Sequence, residues 1–222
     1  PSWLTFDATT GILSGTPLNA NVGANSVVIT INDGTVDVTD AFTITVANTN
    51  DAPTFTSTAV TAVDEDAAYS YTAAASDDDG DTVTLVGTTI PAWMTFDEGT
   101  AGVDLNGDGD YDDDGESAPV AATYALTGTP TNAEVGSHTV VITATDTNSA
   151  STTDSFTVIV ANTNDAPTVA STLSDATVSE DSAYSLDVSG MCTDVDVGDT
   201  MAYTISGNPS TLTIASGIIS GT

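Results

Sequence analysis

FTITVANTNDAPT, Phe42 to Thr54, returns as FTVIVANTNDAPT, Phe156 to Thr168. In the first copy Phe42, Ile44 and Val46 alternate with Thr43 and Thr45, and Phe156, Val158 and Val160 repeat the arrangement. A period of two turns one face of the segment inward, which reads as a half-buried strand. The Asn-Thr-Asn-Asp-Ala-Pro that follows consists of turn and extended-chain residues and stops the strand. Asn48–Thr54 and Asn162–Thr168 are identical, so the chain is built from repeats.

The similarity extends in both directions. VGANSVVITIND (Val22–Asp33) parallels VGSHTVVITATD (Val135–Asp146), and PSWLTFD at Pro1 parallels PAWMTFD at Pro91. GILSGTP from Gly11 matches LTGTP ending at Pro130 and GIISGT ending at Thr222. Glu65, Asp66 and Ala68-Tyr69 reappear as Glu180, Asp181 and Ala183-Tyr184, and SDDDGDT from Ser76 as TDVDVGDT from Thr193. This divides the sequence into the C-terminal half of one repeat (1–50), a complete repeat (51–164) with an acidic insertion at about 98–121, and the N-terminal half of a third (165–222). We expect the segment to belong to a longer chain, with pairing of the two halves across molecules as the alternative.

Alternation and turn residues place strands in the complete repeat near Thr61–Val63, Ala67–Ala74, Thr82–Thr88, Trp93–Phe96, Ala122–Leu126, Ser137–Thr145 and Thr152–Ala161. No segment combines a helical apolar stripe with a cap and a stop. Seven short strands predict an all-β fold of tandem Greek-key β-sandwich repeats, strung as an elongated rod. Trp3 and Trp93 are expected as core anchors.

Charge sets the environment. The 222 residues include 32 Asp and Glu, no Lys or Arg and one His, for a formal net charge of -32. Such a surface repels itself when compact unless salt or bound cations offset it, which points outside the cell. Nucleic acid and anionic lipid are excluded as direct partners, because counterion release needs basic side chains. With 40% hydrophobic residues the chain nonetheless has the material for cores. Cys192 has no intrachain partner and reads as a small buried hydrophobe. No apolar run is long enough to insert directly into a membrane, and a secretion signal is expected outside this segment.

The NTNDAP linker, Glu65 ahead of a strand, Asp77-x-Asp79 and the Ala-Thr-Asp ending at Asp146 resemble cadherin repeats. WLTFDATTGILSGTP more closely resembles the immunoglobulin-like and dystroglycan-type cadherin-like repeats of large bacterial surface proteins. The resemblance covers essentially the whole chain and implies calcium at the repeat junctions. Two departures reduce the implied number of ions. The linker is one residue short with Asn48 where cadherins carry Asp, and Leu18, Asn19 and Ala20 replace a stretch that ends in an acidic pair. One or two ions per junction are expected.

Calcium takes six to eight oxygens at about 2.3–2.6 Å, and carboxylates and amides supply them. At the first junction the candidate ligands are Asn48, Asn50, Asp51, Asp77, Asp79 and Asp146. At the second they are Glu65, Asn162, Asn164, Asp165, Asp194 and Asp196, the counterpart of Asp146 falling beyond Thr222. Asp81 and Asp199 are expected to assist. The bland alternative is that these residues only make solvated turns, but without Lys or Arg a cation is the sole compensation for clustered carboxylates. Within the insertion, DLNGDGDYDDDGE from Asp104 to Glu116 places Asp104, Asn106 and Asp108 at positions one, three and five of an EF-hand-like loop, with Gly109 at six. Asp110 and Asp112 fit positions seven and nine, while Gly115 stands where the closing ligand belongs.

No enzyme is expected: a single His138, read as a surface residue, and no nucleophile elbow leave acyl and phosphoryl transfer without their parts. The expected role is a structural segment of a secreted or cell-surface adhesin stalk or fibre, partnered by adjacent repeats or neighbouring copies. A carbohydrate-binding or homophilic adhesion module, meeting a surface glycan or another adhesin, is the alternative. Exposure of Trp3, Trp93 and Tyr111 separates the two.

Overall fold

The computed structural model describes residues 1–100, 120–207 and 209–222. Its elements are strands joined by turns, with single 3-10 turns at Asn19–Asn21 and Asn132–Glu134. In chain order the strands are β1 (Leu4–Asp7), β2 (Ile12–Gly15), β3 (Gly23–Asn32), β4 (Asp37–Val46), β5 (Thr54–Phe55), β6 (Ala62–Asp64), β7 (Tyr69–Thr72), β8 (Ala75–Ser76) and β9 (Thr84–Thr89). There follow β10 (Met94–Phe96), β11 (Ala125–Gly128), β12 (Gly136–Thr145), β13 (Ser151–Ala161), β14 (Thr168–Val169), β15 (Tyr184–Asp187), β16 (Cys192–Thr193), β17 (Thr213–Ala215) and β18 (Ile218–Gly221).

The chain divides into two compact units. The first comprises Pro1–Thr61, Ser70–Gly128 and Thr139–Val158. It contains the hairpins β1–β2 and β3–β4, the β5–β8 pair, and the antiparallel ladders β10–β11 and β12–β9. β3 and β4 pair in unbroken register from Gly23↔Val46 to Asn32↔Asp37. The core forms where alternation turns apolar side chains inward: Leu85, Leu126, Val140, Ile142 and Val158 are fully buried. Each such burial stabilises by about 1.5–3 kcal/mol. Tyr71 meets Phe156 edge to face at 5.6 Å, and Phe96 stacks on Tyr124 at 6.3 Å. The hairpin β3–β4 is less protected: Val27 is buried, but Val28, Ile31 and Val38 are more than half exposed.

The second unit comprises Ala62–Tyr69, Thr129–His138 and Ile159–Thr222. Here β6 runs parallel to the end of β13, from Ile159↔Ala62 to Ala161↔Asp64. β14 pairs with β16, and β15, β18 and β17 form a three-stranded sheet. Val160, Tyr69 and Val188 are buried.

One steric rule recurs in all three copies of the repeat. A Cβ on Gly15 would lie 2.0 Å from the Trp3 carbonyl oxygen, one on Gly128 2.4 Å from that of Trp93, and one on Gly221 2.2 Å from that of Thr211. The strand before each of these glycines therefore presses backbone on backbone, which only glycine permits. Trp3 and Trp93 are half-buried rather than core-centred, and the Trp3 indole donates to Asn25 Oδ1 at 3.1 Å.

The insertion occupies the turn between β10 and β11. In the first repeat this turn is tight: the Asp7 carboxylate accepts the Thr9 N–H at 2.9 Å, and Gly11 N donates to Asp7 O at 2.7 Å. In the second, Asp97 accepts from Gly99 N and from the Thr123 hydroxyl and N–H, and an antiparallel bridge joins Thr100 to Val120. The candidate ligands Asp104, Asn106, Asp108, Asp110 and Asp112, and Tyr111, lie outside the described residues.

Candidate metal centres

Among the described residues two acidic clusters form, each within one unit. In the first unit the linker residue Asp51 donates its N–H to Asp79 Oδ2 at 2.7 Å, and Asp79 N donates to Asp77 Oδ1 at 2.8 Å. The remaining oxygens, Asp77 Oδ2 and Asp79 Oδ1, are buried and receive no hydrogen bond among the described residues. Asp146, 6% exposed, sits in the β12–β13 turn, where its Oδ1 accepts from Asn148 N and Ala150 N at 2.9 and 2.8 Å. Its Oδ2 accepts from Asn50 Nδ2 at 2.8 Å. These bonds, the Asn50 one foremost, hold its carboxyl below the usual carboxylate range although burial opposes them. Asn148 ties the cluster together, its Nδ2 donating to Asn50 Oδ1 and to Asp81 Oδ2 at 2.6 Å each. Asn48 instead lines a small pocket with Asp51, Pro17, Leu18 and Val22.

The second cluster is tighter. Glu65, Asp165 and Asp196 each bring a carboxylate oxygen within 4.8 Å of the others, as do Asp194, Asp196 and Asp199. Position follows from backbone: Glu65 N donates to Ala161 O at 2.9 Å and Asp66, in the left-handed region at φ 58°, donates to Pro130 O at 2.8 Å. Glu65, 3% exposed, takes the Thr163 N–H on Oε1 at 2.6 Å and leaves Oε2 buried with no donor among the described residues. Asp196 accepts Asp165 N at 2.6 Å, and its own N–H goes to Asp194 Oδ1 at 2.9 Å. Asn164 bonds to Asp165 O at 2.8 Å, and Asn162 Oδ1 accepts from Asn132 Nδ2 at 3.3 Å. Burial, with Asp196, Glu65, Asp66 and Asp194 around it, pushes the Asp165 carboxyl up.

Buried carboxylate oxygens without protein donors, gathered with like charges, fit the oxygen ligand set of a hard divalent cation. Asp77, Asp79 and Asp51 in the first cluster, and Glu65, Asp165, Asp194 and Asp196 in the second, are the residues that would hold it. A bound cation would supply the charge that the missing Lys and Arg do not.

The sequence reading missed two groups of amides. Asn132 on its 3-10 turn reaches Asp196 Oδ1 at 3.2 Å, and its repeat counterpart Asn19 donates to Asp78 O. Asn19 lies in the stretch expected to lack an acidic pair, and both amides supply donors there. Asn148 was equally unread, since only the Asn-Ser turn after Asp146 marks it. His138 is half-buried, with Nε2 against Glu134 O at 2.6 Å, rather than on the open surface.

The family model of the Putative Ig domain matches residues 1–47, 52–161 and 166–222. No curated protein matches the chain. Among solved structures, the protocadherin gamma B4 extracellular domain is similar at 18% identity and a TM-score of 0.51, over 99% of this chain and 36% of that one. Extracellular cadherin domains 1–4 of protocadherin gamma B7 give 18% and 0.51, over 98% of this chain and 54% of that one. An endo-fucoidan hydrolase of glycoside hydrolase family 107 reaches 25% identity but a TM-score of only 0.36, over 73% of this chain and 22% of that one. The likeness to the cadherin domains is one of fold, and the chain spans between about a fifth and about half of the length of these proteins.

Proposed function

As the chain belongs to the Putative Ig domain family over most of its length, we propose that it is a structural segment of an extracellular adhesin stalk or fibre, with calcium binding its linkers to the loops of the repeat that follows. The observation that carries this reading is the set of buried, donorless oxygens of Glu65, Asp77 and Asp79 beside linker backbone. A cation there would fix the Asn48–Pro53 linker through Asp51 and the Asn162–Pro167 linker through Thr163 and Asp165, because the same acids already hold these N–H groups. Neighbouring repeats and copies of the chain are its partners in this role, and its location is the cell surface or beyond.

Sites of the affinity typical of extracellular modules, about 0.1–1 mM, would add roughly 1.4–2.7 kcal/mol each at 10 to 100 times that concentration. Small-angle scattering tests the stiffening. With millimolar calcium the radius of gyration is expected to rise and its spread to narrow, and chelation to reverse both. The pair Asp77→Ala and Asp79→Ala should remove the part of the response that belongs to the first linker. Scattering that ignores calcium, together with calorimetry showing no heat of binding, would sink the proposal.

A further inference from the structure

The two 3-10 turns share one construction. Leu18 and Thr131 precede them with nearly the same backbone, φ -108° and ψ 176° against φ -106° and ψ -180°. In each, the side chain of the third turn residue reaches back to that preceding N–H: Asn21 Oδ1 accepts from Leu18 N and Glu134 Oε2 from Thr131 N, both at 2.8 Å. A side chain of the next strand, β3 or β12, then holds the same residue's carbonyl. Asn25 Nδ2 donates to Asn21 O at 2.8 Å, and His138 Nε2 donates to Glu134 O at 2.6 Å. Asn25 and His138 occupy the same place in VGANS (Val22–Ser26) and VGSHT (Val135–Thr139). A 3-10 turn has poor hydrogen-bond geometry of its own, so bracing at both flanks is what fixes the direction of its first side chain.

That first residue is a half-buried asparagine in both turns, and it reaches the acidic loop of the repeat that follows. Asn132 Nδ2 donates to Asp196 Oδ1 at 3.2 Å and to the linker's Asn162 Oδ1 at 3.3 Å. The other oxygen of the same carboxylate, Asp196 Oδ2, accepts the linker N–H of Asp165 at 2.6 Å. Asp196 is thus held from one side by the turn and from the other by the linker. Asn19 donates to Asp78 O, next to Asp79, whose Oδ2 accepts the linker N–H of Asp51 at 2.7 Å. An amide suits this place because its NH2 offers two donors without charge, where a carboxylate would face oxygens with nothing to donate.

We infer that Asn132 and Asn19 are positioning residues that act without metal: each anchors the acidic loop of the next repeat beside its linker, so that the oxygens of the candidate site are gathered before a cation arrives. This role deepens the calcium reading and rests on it for its purpose, although the hydrogen bonds themselves need no ion. Oxygens gathered in advance reduce the ordering cost of binding.

Amide hydrogen exchange of the full chain in chelator tests the role. In Asn132→Ala, protection of the Asp165 N–H is expected to fall at least tenfold. The Thr163 N–H, held in the same linker by Glu65 Oε1, should stay protected, as should the Asp51 N–H of the other linker. Asn19→Ala should do the reverse, releasing Asp51 and sparing Asp165. A second pair of variants leaves both amides in place: His138→Ala should lose part of the protection at Asp165, whereas His138→Asn, which installs the brace of the first repeat, should keep it. In calcium, titration calorimetry of Asn132→Ala should give a severalfold weaker affinity at the second linker. Protection at Asp165 that survives Asn132→Ala overturns the role, and so does a loss shared equally by Thr163, which is general loosening of the fold. An affinity equal to that of the parent overturns it as well. A parent that binds no calcium sinks the calcium reading, and the exchange results stand apart from it because they are read without the ion.

Discussion

Asp165 and Asp33 show how neighbours decide what an aspartate contributes. Asp33 takes the Val36 N–H and the Thr35 hydroxyl and N–H, which hold it at about 2. Its contribution to stability is present above the unfolded value and lost as pH falls through that range. Asp165 is the reverse case. Burial and four surrounding carboxylates raise it, so the folded state binds its proton more tightly than the unfolded state. Its contribution favours folding at low pH and is lost as pH rises through the raised folded value. At neutral pH and without a cation it therefore works against the fold, which predicts opposite responses for Asp165→Asn. With chelator at pH 7 the melting temperature should rise by a few degrees and vary less with pH across the carboxylate range. With calcium, the stabilisation gained by the parent should shrink. Differential scanning calorimetry in both buffers reads the two arms; a chelator-state loss with an intact calcium response would make Asp165 an ordinary turn residue.

Between β10 and β11 the chain replaces a short turn with the acidic insertion, and the ladder tolerates it because Asp97 repeats the role of Asp7. Both carboxylates collect turn N–H groups, and both are held below their usual range by hydrogen bonds, Thr10 leading at Asp7 and Thr123 at Asp97. Substituting Ala8–Gly11 for residues 98–124 should therefore leave a folded repeat. Nearly three halvings of loop length return about 0.6 kcal/mol each. Loss of the Phe96–Tyr124 stack costs about 0.5–1.5 kcal/mol. The melting temperature should stay within a few degrees of the parent, with failure to fold as the contrary result. Long alternating strands such as β12 and β13 were legible from sequence because their period is unambiguous. β11 was read three residues early, at Ala122, since Tyr124 adopts a φ of 53° that no side-chain pattern announces. The expected strand Ala67–Ala74 is shorter, β7 followed by the two-residue β8, and β5 and β8 are too brief to show any period. At the candidate sites the acids were legible as Asp-x-Asp and linker motifs. The amides Asn19, Asn132 and Asn148 were not, because an Asn in a turn looks the same whether it faces solvent, a backbone carbonyl or a carboxylate.

Over the whole molecule, 32 acidic side chains with no Lys or Arg create two separable effects. The first is diffuse repulsion, which any salt weakens as the screening length falls from about 10 Å at 0.1 M to about 3 Å at 1 M. The second is local, at buried oxygens that mobile counterions screen poorly, such as Glu65 Oε2 and Asp79 Oδ1. Matched ionic strength separates them. With chelator present, the melting temperature should climb steadily with NaCl. At equal ionic strength CaCl2 should raise it further and saturate, whereas MgCl2 should fall between the two, because magnesium gives up its water shell reluctantly and demands a near-octahedral cage. Asp77→Ala with Asp79→Ala should flatten part of the calcium curve while leaving the NaCl slope nearly unchanged, since removing two charges of so many barely alters the mean field. If instead all three salts superimpose at equal ionic strength, the acids act as a uniform field and the clusters hold no specific ion. If the double variant changes the NaCl slope as much as the calcium curve, the local and diffuse terms are one. Only the saturating, calcium-selective increment that the variant removes ties the composition of this chain to defined oxygens at its linkers.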